Sequence, residues 1–156
     1  METLSITPIE LTEDNSIFPH PVKGAEDLIV YLKNPGFKYI EYYVNISGGL
    51  VVMGLDEKKV LKDIEFNILR SKWKEENDLK IPTYYAPAGL LFTNIFVKSN
   101  ELDLPILART NQTRSIVFFS WGDKQSASSD SWYALSKQCF ALVVEGRFEG
   151  LLVEIT

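Results

Sequence analysis

The carboxy-terminal block, residues 115–155, constrains the fold of this chain more than any other stretch. Only Gly146 and Arg147 stand between Glu145 and Phe148, where two apolar runs meet. A two-residue link that begins with glycine is typical of a β-hairpin with a type II′ turn. The preceding run Ser-Ile-Val-Phe-Phe-Ser-Trp is rich in residues that favour strands. The block therefore predicts consecutive, paired strands.

Length and composition predict a single domain over residues 1–156. A chain of this size is ordinary for one domain, and 46% hydrophobic with 24% charged residues is ordinary globular composition. Residues 1–24 contain three prolines, which exclude a continuous helix or a central strand. We expect an irregular N-terminal segment there, in which residues 4–11 could still form an edge strand.

The net charge and the N-terminal sequence indicate which binding partners and which cellular location to expect. The chain begins without a basic segment followed by an apolar run, and it contains no stretch of about 20 apolar residues. We therefore expect a cytoplasmic protein with no membrane contact. The net charge of −5 arises within residues 1–56, and no basic face is evident that would neutralise several phosphates. Nucleic acid is not an expected partner.

Residues 57–77 carry the clearest helical pattern in the chain. Val60, Ile64 and Ile68 recur at four-residue intervals, and charged residues occupy most of the other positions. Asp56 directly precedes this run and is a suitable N-cap, because its carboxylate can accept from the free amides of a first turn. The pattern predicts a long amphipathic helix that packs on a sheet.

Three other segments complete the predicted fold. Residues 25–33 suit a short helix, since the following Asn-Pro-Gly would end it. Residues 37–46 and 50–55 favour strands and are separated by two glycines, which predicts a second hairpin. Residues 90–97 fit either a buried strand or a short buried helix, and their composition favours the strand. The predicted fold class is α+β, with a mainly antiparallel sheet, the long helix on one face and a C-terminal hairpin.

Few residues are suited to metal or nucleophilic chemistry. His20 and Cys139 are the only histidine and cysteine, so we expect no zinc site, and without a phosphate or calcium loop we expect no cofactor. Cys139 lies in an apolar run, which predicts an inert buried thiol. Glu41, Glu145 and Glu149 leave a small acid/base enzyme open, although polar residues on a half-exposed sheet are the more common case.

The aromatic residues of the C-terminal block are its most distinctive feature. Phe118 and Phe119 would point to opposite faces of a strand, so one face could carry an aromatic pocket for a planar or apolar ligand. Core filling is the more common role of such residues. The predicted ligand-binding residues are Phe118, Phe119, Trp121 and Trp132, with Arg109, Arg114 and Arg147 as candidates for the polar end of the pocket.

Several C-terminal segments together resemble the closing part of the DICT domain, a sensory module attached to bacterial, especially cyanobacterial, signalling proteins. The matching segments are Ser-Ile-Val-Phe-Phe-Ser at 115–120, Ser-Trp at 131–132, Leu-Ser-Lys-Gln-Cys-Phe-Ala-Leu-Val-Val at 135–144 and Phe-Glu-Gly at 148–150. They lie within residues 115–150, about a quarter of the chain. The resemblance implies a sensor or regulatory domain without catalysis, and it identifies no functional residues.

The sequence therefore favours a non-catalytic sensory or regulatory domain that binds a small ligand or a protein partner. An alternative is an acidic protein-interaction or inhibitor domain in which Glu10, Glu13 and Asp14 face a basic partner. The third hypothesis is the acid/base enzyme that uses the carboxylates named above. The sequence also leaves open the formation of a homodimer.

Overall fold

The computed structural model describes residues 3–20, 30–122 and 130–155, and within them the chain is almost entirely β-structure. The strands are β1 (Ile6–Ile9), β2 (Phe18–Pro19), β3 (Val30–Lys33), β4 (Tyr42–Ile46), β5 (Val51–Leu55), β6 (Leu61–Phe66), β7 (Lys74–Glu75), β8 (Ala86–Pro87), β9 (Gly89–Phe92), β10 (Ser99–Leu102), β11 (Leu107–Thr110), β12 (Ile116–Ser120), β13 (Asp130–Ser136), β14 (Cys139–Val144) and β15 (Arg147–Glu154). One turn of 3-10 helix, Arg70–Lys72, is the only helical element described. No helix in these ranges could cross a membrane.

The strands form two large sheets and one small one. The six-stranded sheet has the order β10-β4-β5-β6-β3-β2, and the seven-stranded sheet has the order β7-β11-β12-β15-β14-β13-β8. Most neighbours are antiparallel, as predicted, while β10 with β4, β7 with β11 and β8 with β13 are parallel pairs at sheet edges. The β1–β9 pair forms the third sheet.

The two large sheets pack face to face around one apolar core. Inward-facing residues of both sheets belong to a single buried cluster. Phe66 of β6 stacks on Phe119 of β12 with ring centroids 3.9 Å apart and planes 8° apart. Trp73 and Trp121 extend this aromatic contact, so aromatic side chains from both layers hold the sandwich together.

The small β1–β9 sheet joins the two large ones at one end. Ser5 bridges to Arg147 beside the C-terminal hairpin, and Leu91 bridges to Val60 beside the turn that precedes β6. Further backbone hydrogen bonds run from Ile6 N–H to the Gly146 carbonyl and from Phe92 N–H to the Lys59 carbonyl, both at 2.9 Å. The N-terminal segment is therefore part of the fold.

Residues 57–77 form no α-helix although all of them are described, and the predicted α+β class is wrong. They form β6, the 3-10 turn and β7. Gly54 of β5 pairs with Asp63, but Leu55 pairs with Leu61, so Lys62 is the extra residue of a β-bulge. The bulge turns Leu61 and Ile64 to the same core although they are three residues apart. It thereby reproduces the spacing of a helix.

Asp56 accepts backbone N–H groups, as predicted, but in a turn between two strands and not at the start of a helix. Its Oδ1 accepts the backbone N–H groups of Lys58 and Val60 at 2.9 and 3.0 Å. The carboxylate therefore stabilises the turn between β5 and β6 instead of a helix start. Lys59, which lies between the two donors, has a left-handed backbone with φ of 69°.

The shorter predictions have mixed outcomes. The helix predicted over residues 25–33 is wrong for Val30–Lys33, which is strand β3, and residues 25–29 lie outside the described ranges. The hairpin of β4 and β5 is confirmed. Within residues 90–97 the favoured strand is present as the end of β9, which stops at Phe92.

The C-terminal hairpin of β14 and β15 is confirmed, but its turn differs from the predicted one. The two linking residues are Glu145 and Gly146, with φ of 52° and 77°. Positive φ at both positions defines a type I′ turn, whose twist matches that of paired strands. Arg147 begins β15, so the predicted link was displaced by one residue.

Candidate functional site

The outer face of the seven-stranded sheet carries a second apolar cluster, apart from the main core. We call it the outer cluster, and its buried members are Ile116, Phe118, Ala134, Phe140, Leu142, Val144 and Leu152. Phe119, the neighbour of Phe118, belongs to the core between the sheets, as the predicted alternation of faces requires. Both faces of this sheet are therefore apolar, and the outer one needs a cover.

Phe118 lies at the centre of the outer cluster, over Gly150. A Cβ placed on Gly150 would approach Phe118 Cε1 to 2.7 Å. The Trp132 ring lies beside Phe118 with centroids 5.6 Å apart, and the Arg109 guanidinium is 4.9 Å from the Phe118 centroid. The structure thus brings together three of the seven predicted ligand-binding residues.

A segment that we call the strap, residues 76–85, crosses the outer cluster. It begins after β7 at one edge of the seven-stranded sheet and ends before β8 at the other edge. Six strand spacings measure about 29 Å, and the eleven peptide units from Glu75 to Ala86 reach at most about 36–40 Å. The spare length of about 7–11 Å leaves room for the turn at residues 76–79 but for little further secondary structure.

Apolar side chains hold the strap more than hydrogen bonds do. Leu79 and Ile81 pack on the outer cluster, and the Tyr85 ring meets Phe140 edge-on with centroids 5.0 Å apart. Outside the strand ladders, two backbone hydrogen bonds are described for the strap, from Glu76 N–H to the Thr110 carbonyl at 2.8 Å and from Leu79 N–H to the Glu76 carbonyl at 3.1 Å. A segment with so few backbone bonds opens more readily than the strands beneath it.

Arg109 lies where the strap begins. Its Nη1 forms an ion pair with Glu76 at 3.4 Å, while its Nε is buried and has no acceptor among the described residues. An unsatisfied buried donor is unfavourable by about 1–3 kcal/mol. The outer cluster therefore has an apolar aromatic surface, a covering segment and, at its border, one cationic group whose Nε–H has no acceptor among the described residues.

The other predicted ligand-binding residues lie elsewhere. Phe119 and Trp121 are buried between the sheets, where the Trp121 indole donates to the Phe148 carbonyl at 2.8 Å. Arg114 lies in the turn between β11 and β12, and Arg147 lies at the C-terminal hairpin. The two prolines and the glycine of residues 81–89 predict a plain connection, although the alternating Leu79 and Ile81 are a signal of a packing face.

The three candidate carboxylates do not share a site. Glu145 and Glu149 both lie near Arg147, at 3.8 and 3.4 Å from its nitrogens. Glu41 directly precedes β4 of the other large sheet, and it forms an ion pair with Lys98. Glu10, Glu13 and Asp14, the acidic residues of the interaction hypothesis, are exposed in the connection between β1 and β2.

Cys139 and His20 are also separate. Cys139 is buried in β14, as predicted, and burial raises the pKa of its thiol to about 12. His20 belongs to the end of the six-stranded sheet, where its ring meets the Tyr31 ring edge-on at 5.6 Å. The described residues hold no group of three His, Cys, Asp or Glu side chains arranged for a metal ion.

A polar contact lies on the outer face of the six-stranded sheet, next to Gly54. Tyr31 Oη donates to Asp63 Oδ2 at 3.1 Å. Burial raises the pKa of Asp63 above its ordinary value, and the Tyr31 hydrogen bond and Lys33 oppose part of this shift. Burial and the negative charge of Asp63 raise the pKa of Tyr31 to about 12. Folding therefore strengthens proton binding at both Asp63 and Tyr31.

Replacing Asp63 with asparagine should flatten the pH dependence of stability. Because the folded chain holds the Asp63 proton more tightly than the unfolded chain, this stabilisation is complete below the unfolded pKa and is lost as pH rises through the folded pKa. Each unit of pKa difference corresponds to about 1.4 kcal/mol. Chemical denaturation from pH 3.5 to 7 should therefore show a smaller loss of unfolding free energy in Asp63→Asn than in the wild type.

Glu101→Gln is the matched control, because it also removes one carboxylate from the six-stranded sheet, but at an exposed position. It should leave the pH profile close to that of the wild type. If the two variants changed the profile equally, the assignment to Asp63 would be wrong.

Comparison with protein-family models gives no match to this chain, and comparison with curated proteins gives none either. The resemblance of the C-terminal segments to the DICT domain stays a prediction from the residues themselves.

Proposed function

We propose that this protein is a non-catalytic sensory or regulatory domain that binds a small ligand on the outer cluster beneath the strap. The observation that carries the proposal is a buried apolar sheet face, apart from the main core, on which the strap packs through Leu79, Ile81 and Tyr85. Ligand sites are typically apolar and aromatic surfaces with a few placed polar groups. The outer cluster has this composition.

The ligand should have a planar apolar body and an anionic end. Phe118 and Trp132 offer aromatic surfaces for the body, with ring planes 55° apart. Arg109 offers a guanidinium at the border of the cluster, with one N–H that lacks an acceptor. A carboxylate or sulfonate there would receive a charge-assisted hydrogen bond.

The strap gives binding a structural consequence. A ligand that occupies the outer cluster takes the place of Leu79 and Ile81, so strap and ligand compete for one surface. Binding therefore shifts the equilibrium toward a displaced strap by the difference in ligand affinity between the two states. A displaced strap is the signal that a regulatory domain would pass on.

Two fluorescent probes test the proposal: anionic 1-anilinonaphthalene-8-sulfonate and neutral N-phenyl-1-naphthylamine. Arg109→Gln should weaken binding of the anionic probe but not of the neutral one, because only the former uses the guanidinium. Ile81→Ala removes about 1–1.5 kcal/mol of competing strap contact, so both probes should bind about five- to tenfold more tightly. Saturation curves at one site per chain give the dissociation constants.

Arg114→Gln is the matched control, since it removes an arginine from a turn outside the outer cluster. It should leave both dissociation constants unchanged, and near-ultraviolet circular dichroism should show native packing in every variant. Equal affinities across Arg109→Gln, Ile81→Ala and the wild type would refute a site beneath the strap.

A further inference from the structure

Strand β10 leaves one edge of the six-stranded sheet open. It is the outermost strand on its side and pairs in parallel with β4. Among the described residues, the other outer edges of the two large sheets are short: β7 and β8 have two residues each, and β2 is a two-residue strand that contains Pro19. Short strands and prolines prevent the addition of further strands, whereas a longer unpaired edge can accept one.

The hydrogen bonds of β10 to its neighbour show which backbone groups remain available. The carbonyls of Lys98 and Leu102 each accept an N–H from β4 or from the residue that follows it, at 2.8 Å. Residues of a parallel strand alternate in direction, so Asn100 also bonds to β4, whereas the backbone groups of Ser99 and Glu101 point away. Both of these residues are exposed, and no hydrogen bond of their backbone groups outward from the sheet is described. We call these backbone groups the open edge.

The side chains of the open edge suit a second copy of the same strand. Two antiparallel copies of β10 that are related by a two-fold axis at Asn100 place Ser99 of each copy opposite Glu101 of the other. Each such pair exchanges both of its backbone hydrogen bonds, and the serine hydroxyl can donate to the carboxylate. A two-fold axis at Glu101 would instead place the two carboxylates opposite each other, which is destabilising. The charge of Glu101 therefore selects the register.

Exposed apolar side chains lie directly before β10. Phe96 is 77% exposed and Val97 is 58% exposed. In an antiparallel pair, the segment before β10 of one copy runs beside the segment after β10 of the other, where Leu104 packs partly on the main core. Pairing of two copies would thus also remove apolar surface from water.

We propose that two copies of this chain associate through the open edge as antiparallel β10 strands with the two-fold axis at Asn100. The dimer joins the two six-stranded sheets into one continuous sheet. Two four-residue strands form a small interface, so the dissociation constant should be on the order of 100 μM. The interface is separate from the outer cluster, which lies on the seven-stranded sheet.

Sedimentation equilibrium of the intact protein from about 10 μM to 1 mM should show a monomer–dimer equilibrium. Glu101→Pro removes an N–H of the open edge but none of the bonds to β4, and proline is tolerated where the N–H of an edge strand faces solvent. The dimer then lacks one donor from each copy, so the dissociation constant should rise by about tenfold or more. As a second variant, Ser99→Glu puts a carboxylate opposite Glu101 of the other copy and should weaken the dimer several-fold.

Glu75→Pro is the matched control, because it makes the same substitution at an exposed edge residue of the other large sheet. Its N–H also points away from the ladder, since Glu76 is the residue whose N–H donates to the Thr110 carbonyl. This variant should keep the dissociation constant within about twofold of the wild type. Near-ultraviolet circular dichroism should show native packing in every variant.

Cysteine substitutions test the register of the two strands. Residues that form a hydrogen-bonded antiparallel pair have Cα atoms about 5.5 Å apart, a separation that a disulfide can span. An equimolar mixture of Ser99→Cys and Glu101→Cys with oxidised glutathione should therefore give cross-linked dimers. Each variant alone should give far fewer, because identical positions do not face each other. The native Cys139 is buried and should not compete.

Three results would overturn the proposal. The first is a protein that stays monomeric up to about 1 mM, which would leave the open edge to an extended segment of another protein. The second is an equal dissociation constant in Glu101→Pro and Glu75→Pro, which would place the interface elsewhere. The third is cross-linking of Glu101→Cys alone as efficient as that of the mixture, which would indicate a two-fold axis at Glu101.

Discussion

Replacing Phe119 with alanine should lower the free energy of unfolding by about 3–5 kcal/mol. Phe119 is fully buried, stacks on Phe66 at 3.9 Å and meets the Trp73 ring edge-on at 5.9 Å. Its removal leaves a cavity between two sheets whose strands cannot readily close it. The total free energy of unfolding of a domain of this size is about 5–15 kcal/mol. The loss should therefore lower the melting temperature by about 10 °C.

Phe96→Ala is the matched control, because the Phe96 side chain is 77% exposed. This substitution should lower the free energy of unfolding by less than about 0.5 kcal/mol. A double-mutant cycle of Phe66→Leu with Phe119→Leu should add a coupling energy of about 0.5–1.5 kcal/mol for the stacked pair. Equal losses in Phe119→Ala and Phe96→Ala would contradict the face-to-face packing of the sheets.

Replacing Gly150 with alanine should destabilise the fold by about 1–3 kcal/mol. The new Cβ would lie 2.7 Å from Phe118 Cε1 and 2.9 Å from the backbone carbonyl oxygen of Phe119. The Phe118 ring can rotate away, but the carbonyl belongs to the ladder between β12 and β15 and cannot. Denaturant unfolding monitored by intrinsic fluorescence measures the loss.

Gly36→Ala is the control for this substitution. Its Cβ would meet Asn34 Oδ1 at an ordinary 3.6 Å, so the variant should be neutral or slightly stabilised. In a Phe118→Ala background the cost of Gly150→Ala should decrease only in part, because the contact with the Phe119 carbonyl remains. A neutral Gly150→Ala would mean that β12 and β15 are less closely paired than described.

The strand pairs near in sequence were predictable, and the six-stranded sheet shows where prediction failed. The hairpins of β4 with β5 and of β14 with β15 follow from short glycine-containing links between apolar runs. In β6, the four-residue spacing of apolar residues fits a strand as well as a helix, and a bulge at Lys62 also places Leu61 and Ile64 on one face at a spacing of three. Bulges arise from pairing with a partner strand, which a local pattern does not contain.

The candidate sites were predictable only in part, for a similar reason. Phe118, Trp132 and Arg109 could be chosen from one C-terminal block, because neighbouring strands carry them. The cover over them is the strap, which crosses the sheet and leaves no periodic pattern.

The two short strands that flank the strap also protect the sheet from association with other chains. Unpaired edge strands recruit further strands, and proteins commonly block them with short or covered segments. Here β7 and β8 are two-residue strands that cap β11 and β13, the outermost long strands of the seven-stranded sheet. One continuous segment thus closes both borders of the sheet. Release of β7 and β8 together with the strap would expose the unpaired edges of β11 and β13 at the same time.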